Sequence, residues 1–128
     1  MGSQLQPLPS RAAALHTLLE ARRAALQAER EQLAQRLRGE DADPREGQDE
    51  GDRANQDMLH DFDSARLQRV TQALREIDAA LARQTAGAYG QCVTCGDNIP
   101  LARLRSLPTV RYCVRCQEWR EEGRRRAA

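Results

Sequence analysis

Two long stretches of helical apolar spacing constrain this chain more than any other feature. The first runs from about Pro9 to Arg38 and the second from Arg53 to about Ala86. In each, apolar residues recur at intervals of three, four, seven or eight, which places them on one face of a helix. These residues are Leu15, Leu19, Leu26, Leu33 and Leu37 in the first stretch, where Leu18 flanks the stripe, and Leu59, Phe62, Val70, Leu74, Ile77 and Leu81 in the second. Each stretch is therefore predicted to be an amphipathic helix with one apolar stripe.

The segment between the two stretches, residues 39–52, interrupts both patterns. It contains three glycines, one proline and seven acidic residues, and is predicted to be a turn or loop. Two helices of similar length that each carry one stripe pair most simply as an antiparallel hairpin. The alternative is that both helices pack on something else. Asp49 can also cap the second helix, with Asp52 favourable in its first turn.

Composition favours a mostly α protein without a thick core. Only four of the 128 residues are aromatic, and aromatic side chains usually supply much of the buried area. The formal net charge of +1 hides regions of opposite sign. Residues 1–38 carry six Arg against three acids, residues 39–52 carry one against seven, and residues 87–128 carry eight against four. This asymmetry indicates charged partners.

The four cysteines form two C-x-x-C knuckles, Cys92–Cys95 and Cys113–Cys116, separated by 17 residues. Two intervening residues let both sulfurs of a knuckle reach one ion at about 2.3 Å, so the double spacing predicts one tetrahedral zinc site with four cysteine ligands. Since thiolates fill all four positions, the zinc is expected to be structural rather than catalytic. The competing interpretations are a redox switch of two dithiols and buried free thiols. Redox sensing can also coexist with zinc, because oxidation would eject the metal.

The helical pattern ends at Gly87, a natural C-cap residue. The predicted organisation is a disordered N-terminus over residues 1–8, an antiparallel coiled-coil hairpin over 9–86 with the acidic loop 39–52 at its tip, and a zinc-finger module over 87–128 with a short basic C-terminal helix. A module of about 40 residues with so few aromatic residues cannot bury enough area to fold unaided. Metal binding is therefore expected to stabilise it.

Several classes of function are disfavoured. No stretch approaches the roughly 20 apolar residues of a membrane-spanning helix, and the first ten residues lack the order of a secretory signal, so a cytoplasmic protein without membrane contact is expected. His16 and His60 are far apart in the sequence, and no catalytic pattern or phosphate-binding loop appears. The protein is therefore expected to be no enzyme and to bind no organic cofactor. The basic C-terminal third leaves open a nucleic-acid-binding zinc module.

A larger set of residues, which includes the four cysteines, matches a pattern known from one family. They are Gly87-x-Tyr89-Gly90-x-Cys92-x-x-Cys95-Gly96, then Ile99, Arg103-Leu104, Pro108 and Cys113-x-x-Cys116-Gln117, and ahead of them Asp49-x-x-Asp52-x-Ala54. Together they resemble the zinc-finger signature and the D-x-x-D-x-A coiled-coil tip of the DksA/TraR family of bacterial transcription regulators. The resemblance covers about residues 49–117 closely, and the helix before the tip by architecture only.

The resemblance implies a factor that binds RNA polymerase and does not bind DNA sequence-specifically. In the family, the coiled coil enters the secondary channel of the enzyme, the tip approaches the active centre, and the zinc module rests on the channel rim. Asp49, Asp52 and Ala54 would then be the functional tip, the four cysteines would be the zinc ligands, and the protein is expected to be a monomer. A variant is a transcript-cleavage-type factor whose tip acids hold a Mg²⁺ ion in the polymerase.

The chain departs from the family where the alarmone guanosine tetraphosphate (ppGpp) binds. At the positions aligned with three basic contacts it has Glu76, Leu107 and Gln117. A polyanion needs Arg or Lys at such positions, and a Glu opposes it. Arg69 and the Arg residues of the tail are the side chains that could compensate. The simpler expectation is weak or absent ppGpp dependence at this interface.

Overall fold

The structure, a computed structural model, describes residues 8–42 and 49–127. Four helices occupy these residues: α1 (Leu8–Ala42), α2 (Glu50–Thr85), α3 (Leu101–Ser106) and α4 (Val114–Ala127). In the same residues, extended pairing is limited to an isolated antiparallel bridge between Gln91 and Asn98. The predicted mostly α fold class is confirmed. None of the described helices is long and apolar enough to cross a membrane.

The first two helices take up part of the predicted loop 39–52. Helix α1 continues through Gly39 to Ala42, and α2 already begins at Glu50, so both ends of that prediction were wrong. Residues 43–48 of the predicted loop lie outside the described residues, as do residues 1–7 of the predicted disordered N-terminus.

Asp49 explains why α2 begins inside an acidic segment. Its carboxylate Oδ1 accepts a hydrogen bond of 2.8 Å from the Asp52 backbone N–H, and its carbonyl oxygen accepts the first helical bond, from the Arg53 N–H at 3.1 Å. Glu50 and Asp52 then lie in the first turn, where negative charge interacts favourably with the helix dipole. Asp49 is thus an N-cap, and acids that suggested a loop initiate the helix.

The described chain divides into two compact units. We call residues 22–42 and 49–75 the helical unit, and residues 8–21 and 76–127 the metal unit. The core of the helical unit consists of three buried residues, one from α1 and two from α2, with two partly buried leucines packed against them: Leu33, Val70, Leu74, Leu26 and Leu67. Four of the five belong to the predicted stripes, and Leu67 was not among the predicted residues.

Two ion pairs link α1 to α2 in the helical unit. Arg36 donates to both carboxylate oxygens of Asp63 at 2.8 and 3.1 Å, and Arg66 donates to both oxygens of Glu29 at 2.7 and 3.1 Å. As the residue number rises from 29 to 36 on α1, the partner on α2 falls from 66 to 63, so the helices run antiparallel as predicted. The hydrogen bond from Arg36 also holds the pKa of Asp63 below its usual value.

Two members of the predicted stripe on α2 do not contribute to this core. Leu59 is 59% exposed and Phe62 is 63% exposed. The buried position at this level of the helix belongs to Asp63, which pairs with α1. A rotation of about 100° per residue moves Phe62 to the edge of that seam, where it lines an open groove beside Leu33. Leu59 lies two turns before Leu67, the first residue of α2 that packs on the core. The stripe was therefore predicted too far toward the start of α2.

The metal unit has its own small core, in which α1 and the module after α2 meet. The buried cluster is Leu15, Cys92, Ile99, Leu104 and Val110. Two hydrogen bonds hold the loop at residues 108–109: Tyr89 Oη donates to the Pro108 oxygen at 2.8 Å, and Arg83 donates to the Thr109 oxygen at 3.3 Å. Because Cys92 belongs to the buried cluster, a cysteine side chain is part of the apolar packing of this unit.

Gly87 ends α2 as the sequence predicts. Its φ of 76° lies in the left-handed region, which a residue without Cβ adopts without steric cost. The Gly87 N–H donates to the Gln84 carbonyl at 3.2 Å, and the Ala88 N–H donates to the Arg83 carbonyl at 2.9 Å. These two bonds form a Schellman motif, which turns the chain from α2 into the cysteine-bearing segment.

Candidate metal centre

The structure brings the four cysteine sulfurs into one cluster. The Sγ atoms of Cys92, Cys95, Cys113 and Cys116 all lie within 4.8 Å of one another, and none of these cysteines forms a disulfide. The sulfurs of Cys95 and Cys113 are 3.8 Å apart. A tetrahedron with metal–sulfur bonds of about 2.3 Å has an edge of about 3.8 Å. The cluster therefore fits a tetrahedral zinc ion.

Backbone hydrogen bonds shape the first knuckle. The Cys92 N–H donates to the Asp97 carbonyl at 2.8 Å, and the Gly96 N–H donates to the Cys92 carbonyl at 2.9 Å. The turn closes at Gly96, whose φ is 79°, and a side chain at that φ would be strained. The glycine after the second cysteine is therefore required by the fold of the knuckle, as the sequence indicated.

The second knuckle lies where α4 begins. The Cys116 N–H points to the Cys113 sulfur at 3.5 Å, and the Gln117 N–H donates to the Cys113 carbonyl at 2.9 Å. The Val93 N–H donates to the Arg111 carbonyl at 2.9 Å, which holds the two knuckles side by side. The first turn of α4 and the residue just before it thus supply two of the four sulfurs.

The thiols differ in acidity because of their hydrogen bonds. A bond from the Cys95 backbone N–H is the main reason that the pKa of Cys92 falls to about 6. The pKa of Cys116 rises to about 12, chiefly through the hydrogen bond with the Cys113 side chain. Protein groups alone thus do not favour four thiolates together, whereas a bound divalent cation would, because ligation requires the deprotonated form.

Among the described residues, these four cysteines form the one close group of three or more His, Cys, Asp or Glu side chains that could hold a metal ion. All four donors are sulfur, which suits zinc better than a hard cation such as Mg²⁺. The structure therefore brings together all the predicted ligands, and their role as ligands stays a prediction.

The predicted tip residues lie at the start of α2, in the helical unit. Asp49, Asp52 and Ala54 are all exposed, and the hydrogen bond from the Asp52 N–H to Asp49 fixes the position of one carboxylate. Their action on a polymerase stays a prediction.

The residues at the predicted ppGpp positions lie in the metal unit. Glu76 and Leu107 are exposed, and the Gln117 amide donates to the Glu121 carboxylate at 2.9 Å. None of these three residues is itself basic.

The buried Asp63 and its partner Arg36 were not among the residues predicted from the sequence. The available signal was spacing: Asp63 precedes Val70 by seven residues and therefore shares its helix face. Asp63 is the buried charged residue among those described, and burial of a carboxylate requires a partner.

Comparison with known proteins gives matches to the module and to most of the chain. Residues 87–122 match the family described as the prokaryotic dksA/traR C4-type zinc finger. Protein TraR of Escherichia coli K12 is 36% identical over 63 residues, which are 46% of this chain and 86% of TraR. The RNA polymerase-binding transcription factor DksA of Caulobacter vibrioides is 37% identical over 78 residues, which are 61% of this chain and 54% of that protein.

A solved structure extends the likeness to the fold. Transcription factor DksA2 from Pseudomonas aeruginosa matches with a TM-score of 0.78 and 31% identity, over 91% of this chain and 87% of that chain. The chain spans about half the length of the curated DksA proteins that it matches. The four close cysteines fall inside the zinc-finger match, which suggests zinc binding. From the zinc-finger match, the TraR relative and the DksA2 fold together, we conclude that the chain belongs to the DksA/TraR family.

Proposed function

We propose that this protein is an RNA polymerase-binding regulator of transcription initiation. The observation that carries the proposal is the exposed D-x-x-D-x-A start of α2 in a chain whose relative is an RNA polymerase-binding transcription factor. DksA/TraR proteins are regulatory transcription factors and not enzymes. The protein acts in the cytoplasm, as a monomer, without sequence-specific DNA binding.

The proposed action divides between the two ends of α2. The helices enter the secondary channel, and the carboxylates of Asp49 and Asp52, with Ala54, act near the active centre. The N-cap supports this role, because the Asp49 side chain is held by the Asp52 N–H at 2.8 Å and so presents a fixed charge. The module of residues 87–128 rests on the channel rim.

The cysteine cluster holds one structural zinc ion in this proposal. Cys92, Cys95, Cys113 and Cys116 are the ligands, supported by four sulfurs within 4.8 Å of one another. Because Cys92 belongs to the apolar core of the metal unit, the metal would organise that core. The zinc contributes to folding and leaves no position for a substrate.

Regulation by ppGpp is weak or absent in this proposal. Glu76, Leu107 and Gln117 offer no cation to a polyanion, and Gln117 is already hydrogen-bonded to Glu121. A ppGpp titration of the complex with polymerase checks this, and an affinity equal to that of DksA would contradict it.

The test of the function is polymerase binding followed by transcription from a ribosomal promoter. In the variant Asp49→Asn/Asp52→Asn, Asn retains the capping ability of Asp49 while both charges are removed. We expect this variant to bind polymerase and to lose its effect on transcription. Glu50→Gln removes a neighbouring exposed charge outside the motif and should behave like the wild type. If the double variant fails to bind, the tip is an anchor and the proposed division is wrong.

Two other candidates have separate tests. Arg124, Arg125 and Arg126 are exposed at the end of α4, which favours a nucleic-acid-binding module. Tight binding to free DNA in a gel-shift experiment at moderate salt, without polymerase, would support that candidate.

The exposed tip acids also suit a transcript-cleavage-type factor, and cleavage of RNA in backtracked complexes would reveal it.

A further inference from the structure

Three large apolar side chains near the start of α2 are exposed to solvent. Met58 is 70% exposed, Leu59 is 59% exposed and Phe62 is 63% exposed. They lie within five consecutive residues, and spacings of three and four bring Leu59 and Met58 each beside Phe62 on the helix surface. We call these three residues the 58–62 patch. Single exposed apolar residues are ordinary, whereas contiguous patches commonly mark interaction sites.

The 58–62 patch lies outside the core of the helical unit, although Phe62 lines an open groove beside Leu33. That core is formed by Leu33 of α1 and by Val70 and Leu74, which lie further along α2. Beside the patch, the inward position is taken by Asp63, whose carboxylate binds Arg36 at 2.8 Å. Three adjacent apolar side chains that lie outside the core and stay exposed to water indicate an interaction surface.

The patch continues the surface that carries the proposed tip. Ala54 precedes Met58 by one turn, and Asp52 precedes Leu59 by two turns. At about 100° per residue, both pairs lie within about 40° of each other around the helix axis. A protein surface that contacts Asp52 and Ala54 is therefore positioned to cover the patch as well.

Charge and area indicate the chemistry of the occupant. Asp57 and Asp61, both exposed, flank the patch on the side away from the core, so its complement is an apolar surface with Lys or Arg along that edge. On the other side, Arg66 and Arg69 line a groove beside Phe62, and Arg66 is already paired with Glu29. The patch offers only a few hundred Å², whereas a stable interface buries about 800 Å² on each partner. It is therefore too small to hold a second copy by itself and suits a part of a larger interface.

We propose that the 58–62 patch is an affinity-determining contact with RNA polymerase, distinct from the acidic tip, and that it binds an apolar, basic-edged protein surface. This inference rests on the proposed function. The patch provides binding energy, and Asp49 and Asp52 provide the effect on transcription. Aromatic and large aliphatic anchors carry most of the energy in typical protein interfaces.

The test compares the affinity of two variants for polymerase. Met58→Gln/Leu59→Gln/Phe62→Gln removes the apolar surface and keeps good helix-forming residues of similar length. The control is Gln68→Ala, an exposed position on α2 that faces about 120° away from the patch. Circular dichroism verifies that both variants fold. Titration of labelled protein with polymerase should give a dissociation constant at least about tenfold higher for the triple variant and unchanged for the control. At saturation, the triple variant should retain its effect on transcription.

The possible failures are distinguishable. If the wild type does not bind polymerase, the proposed function fails and this inference falls with it. If the wild type binds and the triple variant binds equally well, only this inference is overturned. It is also overturned if Gln68→Ala weakens binding as much. Sedimentation of the free protein tests the other possible occupant, a second copy of this chain. A wild-type dimer that becomes monomeric in the triple variant would make the patch a self-association surface and overturn the inference.

Discussion

Removing Arg36 should destabilise the helical unit more than removing its partner Asp63. The Asp63 side chain is 9% exposed, whereas that of Arg36 is 56% exposed. Arg36→Ala leaves a buried carboxylate without two hydrogen bonds, while Asp63→Ala leaves a guanidinium that water can solvate. We expect Arg36→Ala to lower the free energy of unfolding by about 2–3 kcal/mol. Asp63→Ala should cost less than about 1 kcal/mol, since alanine also has the higher helix propensity.

The loss of unfolding free energy in Arg36→Ala should depend on pH in a defined direction. The hydrogen bond from Arg36 lowers the pKa of Asp63 in the folded state, below the unfolded value of about 3.9. The pair therefore contributes its full stability above that value and loses it as the pH falls through the lower folded pKa. In Arg36→Ala, burial instead raises the pKa of Asp63. The variant then gains a proton on folding in mild acid, and its deficit should shrink between pH 7 and pH 4.

Urea unfolding followed by circular dichroism, at constant zinc, measures these costs. The double variant should cost less than the sum of the two single variants. Arg38→Ala is the control, because Arg38 pairs with Glu31 at 3.4 Å and both side chains are more than 60% exposed; its unfolding midpoint should hardly change. Equal costs for the two variants, or a larger cost for Asp63→Ala, would refute the argument from burial.

The remaining predictions concern the metal site, a turn and the core. Cys116→Ser should abolish stoichiometric zinc and the NMR dispersion of residues 87–127 while the helical unit keeps its signals; retained zinc would show that three sulfurs suffice. Gly87→Ala should cost about 1–2 kcal/mol in unfolding free energy through strain alone, because φ is 76° and no atom lies within 4 Å of an added Cβ; an unchanged midpoint contradicts this. Val70→Ala should cost about 2 kcal/mol since Val70 is 1% exposed, whereas Leu59→Ala should be nearly neutral; similar losses would disprove the packing described.

The features that could be predicted correctly from the sequence depend on residues that lie close together in the chain. Two residues between cysteines determine which sulfurs can share an ion, so the cluster of Cys92, Cys95, Cys113 and Cys116 could be predicted without knowledge of the fold. Gly87 and Asp49 were likewise interpretable, because a left-handed C-cap and an N-cap depend on one or two neighbouring residues.

The features that sequence did not predict depend on the partner helix. Periodicity defines a helix face, but it does not show along which part of α2 that face is covered, so Leu59 and Phe62 were assigned to the core. The burial of Asp63 depends on the placement of Arg36, 27 residues earlier. The first turn of α2 was assigned to the loop 39–52 because the composition of that segment outweighed the alternative, which was also recognised, of a helix capped by Asp49 with Asp52 in its first turn.

The two ion pairs of the helical unit have opposite polarity. Along α1 the charges run from negative Glu29 to positive Arg36, and their partners Arg66 and Asp63 run in the matching order. A slip of the helices in one direction would bring Arg36 opposite Arg66, and a slip in the other would bring Glu29 opposite Asp63. Either displacement replaces an attraction with a repulsion. The pairs thus disfavour displaced alignments of the two helices in both directions of sliding, a discrimination that uniform leucine packing does not provide.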